Sequence, residues 1–211
     1  LPGATIRTLA FAANVSGQMA APRIDLDVSN GALTTAGMKV ERIAGEAQAT
    51  LGDRLAGDFT LSGGSEGQLL AVAGRLQGAK GSYGISNLNA RLGGVQVTAP
   101  LLSYDKGVFS AAFDANGSLE GFAGLDRGTL AARGEVSVGD ELALDVSGQI
   151  ANLRSGALRV ELISFDADAA NDDATLKGRL KGTFGAPVDV NFNAAGRRDD
   201  NIWAGTATLD G

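Results

Sequence analysis

The chain has 211 residues, a formal net charge of −6, no His and no Cys, and an apolar share of 44% to which aromatic residues contribute little. The acidic balance argues against a nucleic-acid partner, which needs clustered Lys and Arg. Without His or Cys the common general base, the thiol nucleophile and the favoured transition-metal ligands are missing, and no apolar run reaches the roughly 18 residues of a membrane span. The chain starts without Met and ends in Leu-Asp-Gly, which reads as a segment of a longer protein.

Apolar and polar residues alternate with period two along most of the chain, the pattern of strands with one apolar and one wet face. Residues 5–19 read as two short pieces, the second carrying Val15, Gly17 and Met19 on one side. Ile24, Leu26 and Val28 alternate with Asp25, Asp27 and Ser29 up to an Asn30-Gly31 turn signal. Met38 and Val40 belong to one strand, and Ile43, Gly45, Ala47, Ala49 and Leu51 line the next. Gly52-Asp53 turns the chain toward Phe59 and Leu61, and the Ser-Gly-Gly-Ser-Glu-Gly of 62–67 reads as a loop. Leu70, Val72, Gly74, Leu76 and Gly78 share a face. Leu88, Ala90 and Leu92 lead through Gly93-Gly94 to Val95, Val97 and Ala99, where Pro100 is expected to close the strand.

A tight turn is expected at 104–107, and 116–128 lacks a clean period, so a short helix or a bulged crossover is expected there. Leu130, Ala132, Gly134, Val136 and Val138 then form a strand face. After a turn at Gly139-Asp140-Glu141, its partner carries Leu142, Leu144, Val146, Gly148 and Ile150. Leu158, Val160 and Leu162 follow, then Phe165 and Ala167, then a polar loop at 170–173. Residues 174–194 are the most regular. Ala174, Leu176, Gly178, Leu180, Gly182 and Phe184 oppose Thr175, Lys177, Arg179, Lys181 and Thr183. Beyond Gly185-Ala186-Pro187, Val188, Val190 and Phe192 oppose Asp189, Asn191 and Asn193. A charged loop at 196–201 precedes Trp203, Gly205, Ala207 and Leu209. The expected fold is all-β, one repetitive segment over 1–211, a long curved antiparallel meander of about fifteen short strands.

A glycine flanked two places away by apolar residues recurs at Gly17, Gly45, Gly74, Gly134, Gly148, Gly178 and Gly205. Interior glycine weakens a strand, so its recurrence on the apolar face has a cause. Either these positions mark bends or a close approach of two sheets, or the sheet curls on its apolar side and leaves room for a guest.

Candidate chemistry is sparse. The pairs Asp25 with Asp27 and Asp166 with Asp168 fall on polar strand faces, and Asp140-Glu141 and Asp172-Asp173 fall in turns, so all read as solvated carboxylates rather than an acid/base pair. No calcium-loop spacing occurs, and no catalytic residue, metal ligand or cofactor is assigned. Lys177, Arg179 and Lys181 read as a solvated or edge-protecting face.

The phrases Asn-Leu-Arg-Ser-Gly-Ala-Leu-Arg-Val-Glu-Leu at 152–162, Ala-Thr-Leu-Lys-Gly-Arg-Leu-Lys-Gly at 174–182, Phe-Gly-Ala-Pro-Val-Asp-Val at 184–190 and Trp-Ala-Gly-Thr-Ala-Thr-Leu at 203–209 resemble the repeats of the TamB family, within the AsmA-like group that also includes YdbH. The resemblance implies a U-shaped, taco-like sheet with an apolar concave face. It implies an envelope protein of a Gram-negative bacterium, anchored in the inner membrane by a segment outside this chain, that crosses the periplasm. Such a protein carries phospholipid acyl chains toward the outer membrane and takes part in outer-membrane biogenesis with a barrel partner. The groove would be lined by Ile24, Leu26, Val28, Leu70, Val72, Gly74, Leu76, Val136, Val138, Leu142, Leu144, Val146, Gly148, Ile150, Leu158, Val160, Leu162, Leu176, Gly178, Leu180, Phe184, Val188, Val190 and Phe192. The alternative is a structural or adhesin-like solenoid or sandwich whose apolar face is sealed in a closed core.

Overall fold

The structure is a computed structural model that describes residues 5–35, 38–65, 67–79, 81–139, 141–199 and 202–211. Among these residues it is all-β: β1 (Thr5–Gln18), β2 (Ala21–Thr35), β3 (Met38–Thr50), β4 (Leu55–Ser65), β5 (Gln68–Ala79), β6 (Ser82–Leu92), β7 (Val95–Asp105), β8 (Val108–Ser118), β9 (Arg127–Val138), β10 (Leu142–Ser155), β11 (Leu158–Ala170), β12 (Asp173–Thr183), β13 (Pro187–Asp199) and β14 (Ile202–Asp210). The fourteen strands lie in one open antiparallel sheet in the order of the sequence. Alternation decides this topology. Each strand carries one apolar and one polar side, and a short turn brings the next strand back with its apolar side on the same face.

The contacts divide the chain into two units, residues 1–93 with 98–106 and residues 94–97 with 107–211. In both units the substantial packing among described residues is between strands adjacent in sequence, so no second layer covers either face. The chain keeps 13645 Å² of surface accessible. A compact folded monomer of 21.3 kDa is expected to show roughly 9,100 Å². No large side chain among the described residues is fully buried, and the few buried apolar ones are Val or Ala.

The strands are longer than expected, from nine residues in β14 to fifteen in β2, because several sequence breaks turn out to be continuous strand. Residues 5–18 form one strand rather than two pieces. Asn30-Gly31 is not a turn. The β1–β2 register slips between Ala10 and Phe11, which leaves Ser29 as the extra residue of a bulge, and β2 continues to Thr35. Gly63, Gly64 and Ser65 of the expected loop extend β4, Glu66 lying outside the described residues. Pro100 sits within β7 and does not end it. Of the charged loop at 196–201, 196–199 belong to β13, and Asp200 and Asn201 lie outside the described residues, as does Asp140 of the 139–141 turn. The break expected at 116–128 coincides with the end of β8 and a 3-10 turn, Phe122–Gly124.

Three strands carry a bulged residue with positive φ: Arg42 in β3, Asn87 in β6 and Asn152 in β10, each at a register shift. A bulge bends its strand and sharpens the local twist. It also moves the following residues to the other face, and this corrects one predicted position. A bulge at Glu161 in β11 sets Leu162 opposite Ala151 and Lys181, on the polar face, while Ile163 takes the apolar place between Ile150 and Leu180. Replacing Ile163 by Gln is expected to lower stability by about 1 kcal/mol more than replacing Leu162 by Gln. Urea unfolding of the two variants measures the difference.

Candidate functional site

The candidate site is the apolar face, which register lays out as rows running across the strands. In the first unit one row is Val15, Ile24, Ala49, Gly57, Leu76 and Ile85, and another is Phe11, Val28, Gly45, Leu61, Val72 and Ala90. Leu26 and Gly74 belong to a third row, and Leu70 opposes Leu92. In the second unit one row runs over seven strands as Phe113, Gly134, Val146, Ala167, Leu176, Ala194 and Ala207. The next is Ala115, Ala132, Gly148, Phe165, Gly178, Phe192 and Leu209. Ile150, Leu180 and Val190 share a further row, as do Val136 and Leu144. None of these rows contains a charged side chain. Six strand spacings of about 4.8 Å make each seven-strand row about 29 Å long.

Val138, Leu142, Leu158, Val160 and Val188 occupy this face at the ends of their strands, Val160 opposite Gly182. Apart from Leu162, the exception among the predicted lining residues is Phe184, which lies in the bend after β12, 50% exposed, outside the strand alternation. Ile163, which the alternation count missed, joins the face. The bulge that moves it was signalled only by two consecutive apolar residues, Leu162 and Ile163.

Alanines compare the two faces at constant side-chain size. Ala115 and Ala169, on the apolar side, are 9% and 6% exposed. Ala112 and Ala170, pointing the other way from the same strands, are exposed. The apolar side is shielded by its own larger neighbours, since no other element lies on it among the described residues.

Both sequence readings of the recurrent glycines need correction at four of the seven positions. Phe59 faces Gly74, Phe113 faces Gly134, Phe165 lies between Gly148 and Gly178, and Phe192 faces Gly178 from the other side. A methyl group added at Gly178 would run into O of Ser164 and Cζ of Phe192, and one at Gly148 would stand 2.7 Å from both Cβ of Ala132 and Cζ of Phe165. Tyr83 meets Gly78 the same way. The space above these glycines is therefore taken by the adjacent strands: at Gly148 and Gly178 by a cross-strand ring together with Ala132 and Ser164, and at Gly74 and Gly134 first by Ile85 and by Asp145 and Val146, with the ring just beyond. It is neither a vacancy nor the approach of a second sheet. Such pairs let an aromatic ring lie down on a face that has no opposing layer to receive it.

The polar face is organised by ion pairs. Arg179 donates two hydrogen bonds to the Asp189 carboxylate at 2.7 and 2.6 Å, and Lys181 meets Glu161 at 2.8 Å. Arg75 pairs with Asp58 and Arg23 with Asp25. The row Lys177, Arg179 and Lys181 is on an interior strand, so it protects no edge, and acidic neighbours balance it. The Arg179 hydrogen bonds hold the Asp189 carboxyl below the usual carboxylate range, and Asp189 in turn raises Arg179. Hydrogen bonding to Glu161 raises Lys181. Open hollows lie on the polar side among the described residues. One, about 510 Å³, is floored by the small side chains Ala131, Ser147 and Ser164 beside Asp114, Arg133 and Gln149. Others lie around Asp25, Asp27 and Glu46, and around Thr60, Ser62 and Ala73. Among the described residues no cluster of acidic side chains has the arrangement of a metal site, and no helix is long and apolar enough to cross a membrane.

In comparisons with known proteins, no family model matches the chain, and neither a curated protein nor a solved structure matches it.

Two outcomes are expected. Phe165→Ala and Phe192→Ala each uncover glycine backbone on a half-buried face and lower stability by about 1–2 kcal/mol in chemical denaturation, less than for a closed core. Because the folded-state value of Asp189 is depressed, its pairing stabilises the fold above the ordinary carboxylate range, and this contribution disappears as pH falls through the folded value. Asp189→Asn should flatten the acid limb of a stability profile between pH 7 and about 3, read by urea midpoints.

Proposed function

We propose that this chain is a segment of a non-enzymatic phospholipid conduit, in which acyl tails move along the apolar sheet face between the inner and outer membranes of a Gram-negative bacterium. One observation carries the reading: rows of apolar side chains continue unbroken across β1–β6 in the first unit and across β8–β14 in the second, with no protein layer covering them among the described residues. Hydrocarbon is the natural complement of such a surface, since each CH₂ taken out of water gains about 0.8 kcal/mol. Rings that fill the glycine positions level the face. A tail then meets similar rows at steps of about 4.8 Å and no pit deep enough to hold it. Movement of this kind needs no nucleophile, acid or metal from the chain.

The resemblance of the 152–162, 174–182, 184–190 and 203–209 phrases to TamB-family repeats supplies the setting: the periplasm, an inner-membrane anchor outside this segment, a barrel protein of the outer membrane as partner, and a part in outer-membrane biogenesis. Two observations favour a second reading as a structural or adhesin-like sheet. Four of the seven recurrent glycines face rings of this chain rather than space for a guest, and the described hollows lie on the polar side.

Photo-crosslinking separates the two. With a photoreactive residue at Val146, Leu176 or Val190, and at Lys177 or Asn193 as polar-face controls, expression in a Gram-negative periplasm is expected to give phospholipid adducts at the first three and none at the controls. Protein adducts alone, or equal lipid labelling of both faces, would reject the conduit.

A further inference from the structure

Seven cationic side chains lie on β9 to β12, and four of them face a carboxylate. Arg133 opposes Asp114, Lys177 opposes Asp166, Arg179 holds Asp189 and Lys181 meets Glu161. The other three oppose one another. Leu153 faces Val160 on the apolar side, so Arg154 and Arg159, one place on, face each other on the polar side, and Arg154 opposes Arg127 across its other neighbour. Arg127 and Arg159 are exposed and Arg154 is half-buried. Among the described residues none of the three has an ion-pair partner. The carboxylate of Asp126, beside Arg127 in the chain, accepts a hydrogen bond from the N–H of Gly156 at 2.9 Å. Like charges directly opposite on neighbouring strands are destabilising, so this row works against the fold unless an anion lies on it.

The row sits at one rim of the second unit. Arg127 opens β9, Arg154 and Arg159 are one residue pair from the Gly156-Ala157 turn, and Thr183, which continues the row with a hydroxyl, ends β12. About 27 Å along the strands, toward the opposite rim, Glu135, Asp145 and Asp168 place three carboxylates side by side on the same face. We infer that Arg127, Arg154 and Arg159 form a phosphate site, filled by the headgroup of a phospholipid whose tails lie on the apolar face. Guanidinium groups stay charged and bind phosphate oxygens in pairs, and opposed Cα atoms about 5 Å apart let neighbouring arginines share one phosphate. A single layer of backbone separates the two faces, and at the turn it ends within one residue pair of the arginines. A headgroup can therefore bend over the rim to the row while its tails cover Leu158 and Val160. The carboxylates of the opposite row repel phosphate, so lipids on this unit point their headgroups toward the arginine rim. Assigning the phosphate to a lipid rests on the conduit reading, whereas the attraction of the row for phosphate does not.

Calorimetric titration with three probes tests this: dioctanoyl phosphatidate below its micellar concentration, dioctanoylglycerol with the same tails and no phosphate, and inorganic phosphate. The unmodified chain is expected to bind the phosphatidate roughly tenfold or more tighter than dioctanoylglycerol. Arg154→Gln combined with Arg159→Gln should erase that advantage and leave dioctanoylglycerol binding as it was. Because it removes a like-charge contact, the double variant should unfold at no lower urea concentration than the parent. Lys177→Gln, which removes a balanced cation from the same face, should keep the phosphatidate advantage. Equal binding of the two lipids would overturn the headgroup site and leave the conduit standing, as would a phosphatidate advantage that survives in the double variant. Binding of inorganic phosphate that the double variant loses, with no binding of either lipid, would overturn headgroup and conduit together and leave a site for free phosphate. Binding of none of the three probes would overturn the site in both forms.

Discussion

A single-layer sheet must satisfy its apolar face from within the layer, and the rest of this structure follows from that constraint. In a sandwich the residues of one sheet are received by the residues of another about 10 Å away. Here the only neighbours are across and along the strands, so shielding depends on pairing large with small. Phe165 over Gly148 and Gly178 and Phe192 over Gly178 show how this is met, with a ring reclining on backbone that carries no side chain. The same constraint explains why Ala, Leu and Val supply most of the apolar residues. A tall side chain with no opposing layer would stand in water.

The polar face meets a different requirement. Its charges cross-link neighbouring strands, Arg179 to Asp189 on the diagonal and Lys181 to Glu161 at the β11 bulge. Exposed pairs of this kind contribute little to stability one by one. Their physical role is to fix register, because a slip of one residue would carry them to the apolar side. Apolar rows and charge ladders thus constrain the same alignment from opposite faces.

Much of this was legible in the sequence. Alternation identified the all-β class and grouped most of the residues proposed to line the groove, from Ile24 to Phe192, on one face, because period two survives wherever a strand is regular. It failed where regularity failed. Leu162 was misassigned because an extra residue, Glu161, reverses the count. Asn30-Gly31 and 62–65 carry turn-forming residues, yet the ladder runs through them and the chain turns only after Ser65, since small residues are tolerated in a strand with no second layer to fill. The glycine pairs were half visible: the glycines stood out by position, but their partners lie 13 to 21 residues away and emerge only once the turns set the register. Nothing in the alternation alone says which molecule covers the face.

Because every strand joins its predecessor and no strand crosses to a distant one, assembly is a local process. Each hairpin can close with little loop entropy and then serve as a template for the next, so growth proceeds as a zipper, and fraying starts at the ends. Architectures of this sort are governed by nearest-neighbour terms, as in solenoid repeats. Loss or duplication of two successive strands preserves chain direction, facing and ladder, whereas a single strand added or lost would reverse everything after it. Evolution can therefore change the reach of such a sheet only in hairpin quanta.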